Sequence, residues 1–299
     1  MKTQFRKYIK AVGIGKKHNR DLTYEEINDL FELIFNQQVF NEQISAFLLG
    51  WRVKPETVEE FIAARDCFDR YIVQNKVDNS IEFGYPYDGK CNNPYLFPLI
   101  AKELQKFKQN IVLTGDKLQP SKEGITVKQI INNIPKIANI HYFDREEIFP
   151  QLSNLTTTRQ RLGIRTGLNT IEKLLNPALS HTALLGVFHK PFMEKYVKIF
   201  ANRYKQLIII KGNEGTSDIF SKTQFWIAKN DKITEYKIDP KDYGINYTKS
   251  WDSITLEESI NMINNPPKQL VNLAKLNCAV ILFGQDYTSS IDEAYSILS

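Results

Sequence analysis

A small all-helical N-terminal domain followed by a larger α/β domain with a mainly parallel central sheet is the fold class that the sequence predicts. Three observations carry it. The first 75 residues hold four apolar runs at helical spacing, separated by short polar loops. After Asp78-Asn79-Ser80 the texture changes to short apolar runs alternating with helical ones, the pattern of strands linked through crossover helices. Leu207 to Ile210 is an unbroken leucine and isoleucine stretch, suited to a strand buried on both faces of a parallel sheet. The expected domains are therefore 1–75 and 76–299.

The first helix is expected over 3–12, with Phe5, Ile9 and Val12 on one side and Arg6, Lys7 and Lys10 on others. A basic, flexible loop, Gly13 to Arg20, leads to Thr23-Tyr24-Glu25-Glu26. There Thr23 and Glu26 have the spacing of a reciprocal N-terminal cap. Ile27, Leu30, Phe31 and Ile34 continue that helix. A third starts near Asn41 and buries Ile44, Phe47, Leu48 and Trp51. Pro55 suits the opening of a fourth, which carries Val58, Phe61, Ile62, Cys67 and Phe68. In the second domain, strands are expected at 81–83, 111–113, 141–143, 184–188 and 207–210. Helices are expected near 94–107, 126–132, 146–162, 166–175 and 191–204. Phe225-Trp226-Ile227, a turn at Asn230-Asp231 and Ile233 to Ile238 read as an antiparallel hairpin. Helices near 255–264, 267–283 and 290–298 close the chain.

With 299 residues and an apolar share of 42%, the chain can bury a sizeable core. No apolar run approaches the roughly 20 residues of a membrane span. The start of the chain lacks the apolar block of a secretory signal. Cys67, Cys91 and Cys278 are few, odd in number and widely spaced, which fits reduced thiols in the cytoplasm and no metal-ligand pattern. The net charge of +5 is local: residues 1–20 carry seven basic residues and no acid, leaving 32 basic against 34 acidic residues elsewhere. Such a block points to a polyanionic partner or to a solubilising arm.

Arg159, Arg161 and Arg165 fall within seven residues, beside Leu162, Ile164 and Leu168 and ahead of Asn176-Pro177. They read either as a partly buried anion site or as a helix end with solvated arginines. Gly212-Asn213-Glu214-Gly215 follows a strand, where backbone N–H groups can meet an anion or a sugar hydroxyl; an ordinary tight turn reads the same way. His18, His141, His181 and His189 stand apart, and no cysteine has a histidine near it in sequence. Glu214 and Asp218 could share a magnesium ion, although acids on a surface loop are commonly solvated.

Together these segments resemble anthranilate phosphoribosyltransferase and the wider glycosyltransferase family 3. The resemblance covers nearly the whole chain and is sharpest at Leu22–Phe68, Arg159–Pro177 and Lys211–Ile219. It implies a fold of the nucleoside phosphorylase and phosphoribosyltransferase type, with a substrate cleft between the two domains. In that cleft it places Gly84, Asp88, Gly89, Gly115, Arg159, Arg165, Asn169, Glu214 and Asp218, with Arg159 at the family's anthranilate-contacting arginine. The departures are pointed. The family's sugar-diphosphate loop, Gly-Thr-Gly-Gly-Asp-Gly, is here Gly84-Tyr85-Pro86-Tyr87-Asp88-Gly89, and Pro86 has no N–H to give a phosphate. The Asn-x-Ser-Thr motif becomes Asn92-Asn93-Pro94-Tyr95, and Lys-His-Gly-Asn becomes Leu113-Thr114-Gly115-Asp116. The magnesium-binding Asp-Glu pair becomes Ser217-Asp218.

A divergent branch of the family is similar in its basic Gly-x-Gly-Lys-Lys arm (here Gly13 to Lys17), in Glu214-Gly215 and in His189-Lys190-Pro191. That likeness implies a homodimer formed through the helical domain that binds nucleic acid with little sequence preference. Arg6, Lys7, Lys10, Lys16, Lys17 and Arg20 would contact phosphates. Two further readings stand beside it. One is a working phosphoribosyltransferase or related glycosyltransferase of altered substrate, using magnesium at Glu214 and Asp218. The other is a small-ligand sensor using the old cleft. No catalytic residue or cofactor is assigned by the sequence. The shape of loop 84–90 separates the readings: open backbone amides favour the enzyme, a filled pocket disfavours it.

Overall fold

The computed structural model describes residues 4–117, 124–249 and 251–299. Four helices, α1 (Arg6–Gly13), α2 (Tyr24–Phe35), α3 (Asn41–Val53) and α4 (Val58–Asp69), form the N-terminal layer. The Thr23–Glu26 capping box opens α2 as its sequence requires. The first helical residue of α4, Val58, falls three residues past Pro55, because Thr57 is the N-cap and forms a capping box with Glu60. A Thr cap contributes about 1 kcal/mol. Glu60 does more than cap: its buried carboxylate accepts from the backbone N–H groups of Leu22 and Thr57, from Trp51 Nε1 and from Lys54 Nζ. Every lone pair of a charge deep in the bundle is thereby matched, the condition for tolerating it there. α1 lies close on α3, where a Cβ added to Gly50 would come within 2.9 Å of Val12.

The seven strands are β1 (Ser80–Gly84), β2 (Asn110–Gly115), β3 (Ile140–Asp144), β4 (Thr182–Val187), β5 (Gln206–Lys211), β6 (Thr223–Lys229) and β7 (Lys232–Ile238). They form one sheet in the order β3-β2-β1-β4-β5-β6-β7, parallel through β5 and antiparallel at the β6–β7 hairpin. Side chains alternate between faces along each strand. Leu184, Ile208 and Ile210 therefore face helices Phe97–Leu104, Lys268–Gly284 and Ile291–Leu298, while Leu185, Leu207 and Ile209 face helix Lys190–Phe200 and the N-terminal layer. Each such fully buried side chain contributes roughly 1.5–3 kcal/mol.

The expected helix over 146–162 is instead three pieces, Arg145–Ile148, Pro150–Ser153 and Thr156–Leu162. Phe149, forced out of helical geometry ahead of Pro150, breaks the first junction, and Gly163 ends the third in left-handed backbone. The expected helix over 166–175 shortens to Leu168–Ile171. Beyond it Glu172 and Lys173 are buried and bond to interior partners. These pieces join the N-terminal layer: the Phe149 ring packs against Phe35, Phe68 and Tyr71. The α/β portion of the chain thus lends residues 145–171 to the helical layer. Among the described residues no helix is long and apolar enough to cross a membrane.

Candidate functional site

The strand order reverses at β1: the chain builds outward through β2 and β3, then returns to β4 on the other flank. Ligands in open α/β sheets bind at such a switch point, outside the carboxyl ends of the strands. A cavity of about 230 Å³ opens at that place. Its walls are Pro86, Tyr87 and Asp88 after β1, then Arg165, Thr166, Asn169, Thr170 and Lys173, residues Gly186–His189 with Phe192 and Tyr196, and Glu214-Gly215 after β5; α3 contributes Arg52. Gly186 allows the loop after β5 to lie on β4, and Gly212 allows that loop to fold back on itself. A Cβ on either would fall about 2 Å from the Thr216 carbonyl oxygen, at 2.0 and 1.9 Å.

Of the nine cleft residues expected from the sequence, Asp88, Arg165, Asn169 and Glu214 line this cavity, and Asp218 lines an adjoining groove. Arg165 Nε donates to Asp88 Oδ2 at 2.9 Å. Gly84, Gly89, Gly115 and Arg159 do not line the cavity. Gly84 packs on Leu174 and Gly115 on the Tyr142 ring. Gly89, in left-handed backbone, presses on the Gly124 backbone. Arg159 is fully buried: its guanidinium donates to both oxygens of Glu172, at 2.7 and 2.9 Å, and to Asn169 Oδ1 at 2.9 Å. Arg145 binds the same Glu172 and also Asp116. Burial would raise the Asp116 carboxyl, but the Arg145 charge and the hydrogen bonds hold it below its ordinary value. In this structure Arg159 is not a solvated arginine; its guanidinium is turned to internal partners, Glu172 and Asn169, and does not border the cavity.

Loop 84–90 commits three of its amides and the Tyr85 and Lys90 side chains to partners within the protein, while Pro86, Tyr87 and Asp88 border the cavity. Tyr85 N–H donates to Phe83 O, Gly89 N–H to Pro86 O and Lys90 N–H to Ile125 O. Tyr85 OH donates to Asp218 Oδ1 at 2.7 Å, and Lys90 Nζ sits 2.5 Å from Asp218 Oδ2 while donating to the Pro94 carbonyl. Lys90 is also 5.0 Å from the ring centres of both Tyr95 and Phe220. Burial, reinforced by the Asp218 charge, pushes the Tyr85 phenol far up, so it stays a neutral donor. Glu214, in left-handed backbone, accepts from the N–H groups of Cys91 and Asn92 at 2.7 and 3.0 Å. The two carboxylates that a magnesium ion would require thus already serve an ammonium group, a phenol and two amides. The donor set does not fit a divalent cation.

Sequence reading missed Lys90, Glu172 and Lys173. Lys90 carried a signal, since it directly follows the altered glycine loop. Lys173 Nζ donates to the Gly186 and Gly215 carbonyls at 3.1 Å each and pins the floor of the cavity. On the N-terminal layer, the six basic arm residues are all exposed. Lys7 faces Asp29 at 3.7 Å and Arg20 is paired with Glu26 at 2.6 Å. Arg6, Lys10, Lys16 and Lys17 have no acidic partner among the described residues. The loop carrying Lys16 and Lys17 is a closed turn: His18 and Asn19 N–H donate to Gly15 O, and Arg20 N–H to Ala11 O.

Two family descriptions match the chain: "Glycosyl transferase family, helical bundle domain" over residues 6–70, and "Glycosyl transferase family, a/b domain" over residues 116–299. The protein belongs to this glycosyl transferase family. It is 27% identical over 290 residues to an uncharacterized protein of Aquifex aeolicus, covering 93% of this chain and 92% of that one. It is 26% identical over 309 residues to anthranilate phosphoribosyltransferase of Neisseria meningitidis, covering 93% and 86%. Among solved structures, the Saccharomyces cerevisiae anthranilate phosphoribosyltransferase in complex with PRPP and Mg superposes with a TM-score of 0.79 at 14% identity, covering 100% of this chain and 93% of that one. The Thermus thermophilus enzyme gives 0.75 at 14% identity, with the same coverage. At such identities the superpositions establish the fold.

Proposed function

We propose that this protein is a nucleic-acid-binding homodimer of little sequence preference, built on a glycosyl transferase scaffold whose diphosphate and metal positions are occupied by its own side chains. The observation that carries the reading is the arm: Arg6, Lys10, Lys16 and Lys17 are exposed, lack acidic partners among the described residues, and are held on a helix and a closed turn. Preorganised cations neutralise phosphates and release counterions, which gives affinity without base reading. The internal Tyr85–Asp218–Lys90 network supports the same reading by leaving a sugar diphosphate neither open loop amides at Tyr85, Gly89 and Lys90 nor a free metal carboxylate. For the dimer, Leu49 and Val53 lie one turn apart on α3 and are 43% and 69% exposed. Paired apolar side chains on an outer helix face suit a self-complementary contact.

A mobility-shift titration at low salt tests the arm. Wild type is expected to shift DNA or RNA of unrelated sequences alike, and the Arg6, Lys10, Lys16 and Lys17 to Gln variant to lose the shift. Equal binding by the two proteins, or none by either, rejects the reading. The retained cleft with Arg165 and Asn169 favours the competing reading, a transferase of altered substrate acting by displacement at the anomeric carbon. Calorimetry with the sugar diphosphate and magnesium decides between them: no saturable heat is expected, and micromolar binding would establish the transferase.

A further inference from the structure

We infer that the cavity at the sheet's switch point holds an unstacked base of a single-stranded nucleic acid, with Phe188 as its stacking platform; the inference rests on the nucleic-acid reading above. Phe188 and Phe192, just after β4, are each 40% exposed. Both line the cavity, and Phe188 also lines an open groove of about 510 Å³ beside it. The Arg165 guanidinium is 6.0 Å from the Phe188 ring centre, and the His189 ring is 6.4 Å away. The groove carries exposed Lys211, Lys222 and Lys237. Lys222 has Asp239 only at 3.8 Å with three-quarters of its side chain in solvent, and Lys211 and Lys237 have no acidic partner among the described residues. The groove's acids, Glu214 and Asp218, are spent on interior partners. An aromatic face beside a cationic track is the arrangement that binds single strands, with bases stacking and the backbone following the charges.

Behind Phe188 the cavity offers base-edge chemistry. Thr166 Oγ1 is buried without a partner. Asn169 uses Oδ1 to accept from Arg159 and from the Thr166 N–H, and its Nδ2 has no partner among the described residues. A hydroxyl and an amide donor beside a ring-sized space suit the carbonyl and ring-nitrogen acceptors of a base. A lone aromatic acid would use the cavity and leave the lysine groove idle. A duplex cannot deliver a base there without unstacking it.

The test is fluorescence anisotropy at low salt with three probes: a labelled oligonucleotide, the same oligomer with abasic sites, and its duplex. Phe188→Leu keeps an apolar side chain and removes the ring. It is expected to weaken the intact strand about five- to hundredfold, the range of one lost base–aromatic stack, and to leave the abasic strand and the duplex unchanged. Phe188→Tyr restores the affinity, and circular dichroism confirms that each variant is folded. A 2-aminopurine base in the strand is quenched by wild type and not by Phe188→Leu. If Phe188→Leu binds all three probes as wild type does while the arm variant loses them, the base site is refuted and the nucleic-acid reading stands. If wild type binds no probe, both fall. A nucleoside monophosphate that displaces the strand at the strand's own concentration assigns the cavity to a free nucleotide and overturns the proposal.

Discussion

At the scale of single residues, buried charge governs the centre of the molecule. Lys90 and Asp218 are 2% and 1% exposed in their side chains. Removing one partner of such a pair strands the other charge, which costs about 3–5 kcal/mol, whereas replacing both with apolar groups is often nearly neutral. Lys90→Met is therefore expected to lower the urea-unfolding free energy by about 3 kcal/mol, and Lys90→Met with Asp218→Leu to recover most of it. A single variant as stable as wild type would show that the pair is not structural. Glu82, fully buried on β1, accepts from the Tyr204 phenol and the Asn176 N–H, yet burial pushes its carboxyl up from 4.5 to about 7. Between those values the folded chain holds a proton that the unfolded chain releases. The associated stability is thus fully present below about pH 4.5 and falls as pH rises through 7, by about 3 kcal/mol in all. Glu82→Gln, neutral throughout, is expected to remove that part of the slope in urea unfolding across pH 4.5–8. Parallel curves for the two proteins would refute the assignment.

At the scale of elements, the close approach of backbones does what no side-chain pattern reveals. The loop after β5 rests on β4 because residue 186 has no Cβ; alanine there would meet the Thr216 carbonyl at 2.0 Å. Main chain cannot rotate out of the way, so Gly186→Ala is expected to cost about 3 kcal/mol, at the upper end of ordinary overpacking. Gly13→Ala, whose Cβ would find only Ile9 at 3.8 Å, is expected to leave stability unchanged or slightly raised. Equal melting temperatures for the two variants would count against the packing account. Local chemistry made most elements legible: the capping box at Thr23, the hairpin turn at Asn230-Asp231 and the β5 run all appear where the residues placed them. It misjudged 146–175, where Phe149-Pro150 and Gly163 interrupt a helical composition and the helices Thr156–Leu162 and Leu168–Ile171 pack on α3 and α4 instead.

At the scale of the whole molecule, the helical layer carries both the basic arm and the exposed Leu49–Val53 face of α3, so the proposed polyanion binding and the proposed self-association are tested on the same layer. If the arm contacts phosphates as proposed, neutralising Arg6, Lys10, Lys16 and Lys17 is expected to reduce the slope of log affinity against log salt by roughly one unit per residue removed. A salt-independent affinity would mean that the arm does not touch phosphate. Val53→Glu with Leu49→Glu is expected to convert a dimer to a monomer in light scattering. Unchanged mass would place any dimer elsewhere.

The sequence by itself determined the two-part architecture, the strand positions, the Thr23 cap, and the basic block at the start of the chain. Each of these is written in neighbouring residues, through period, composition and local hydrogen bonding. It also located the changed glycine loop and the single surviving carboxylate at Asp218. Only the tertiary structure decided what those changes made. Lys90 reaches Asp218 across 128 positions, and Arg145 and Arg159 converge on Glu172 from separate helices. Whether a charged residue faces a ligand or another residue of the chain depends on contacts between distant segments, which local pattern does not encode. Arg159, conspicuous in the sequence, closes an internal ion network, while Phe188, inconspicuous there, stands in the open cleft.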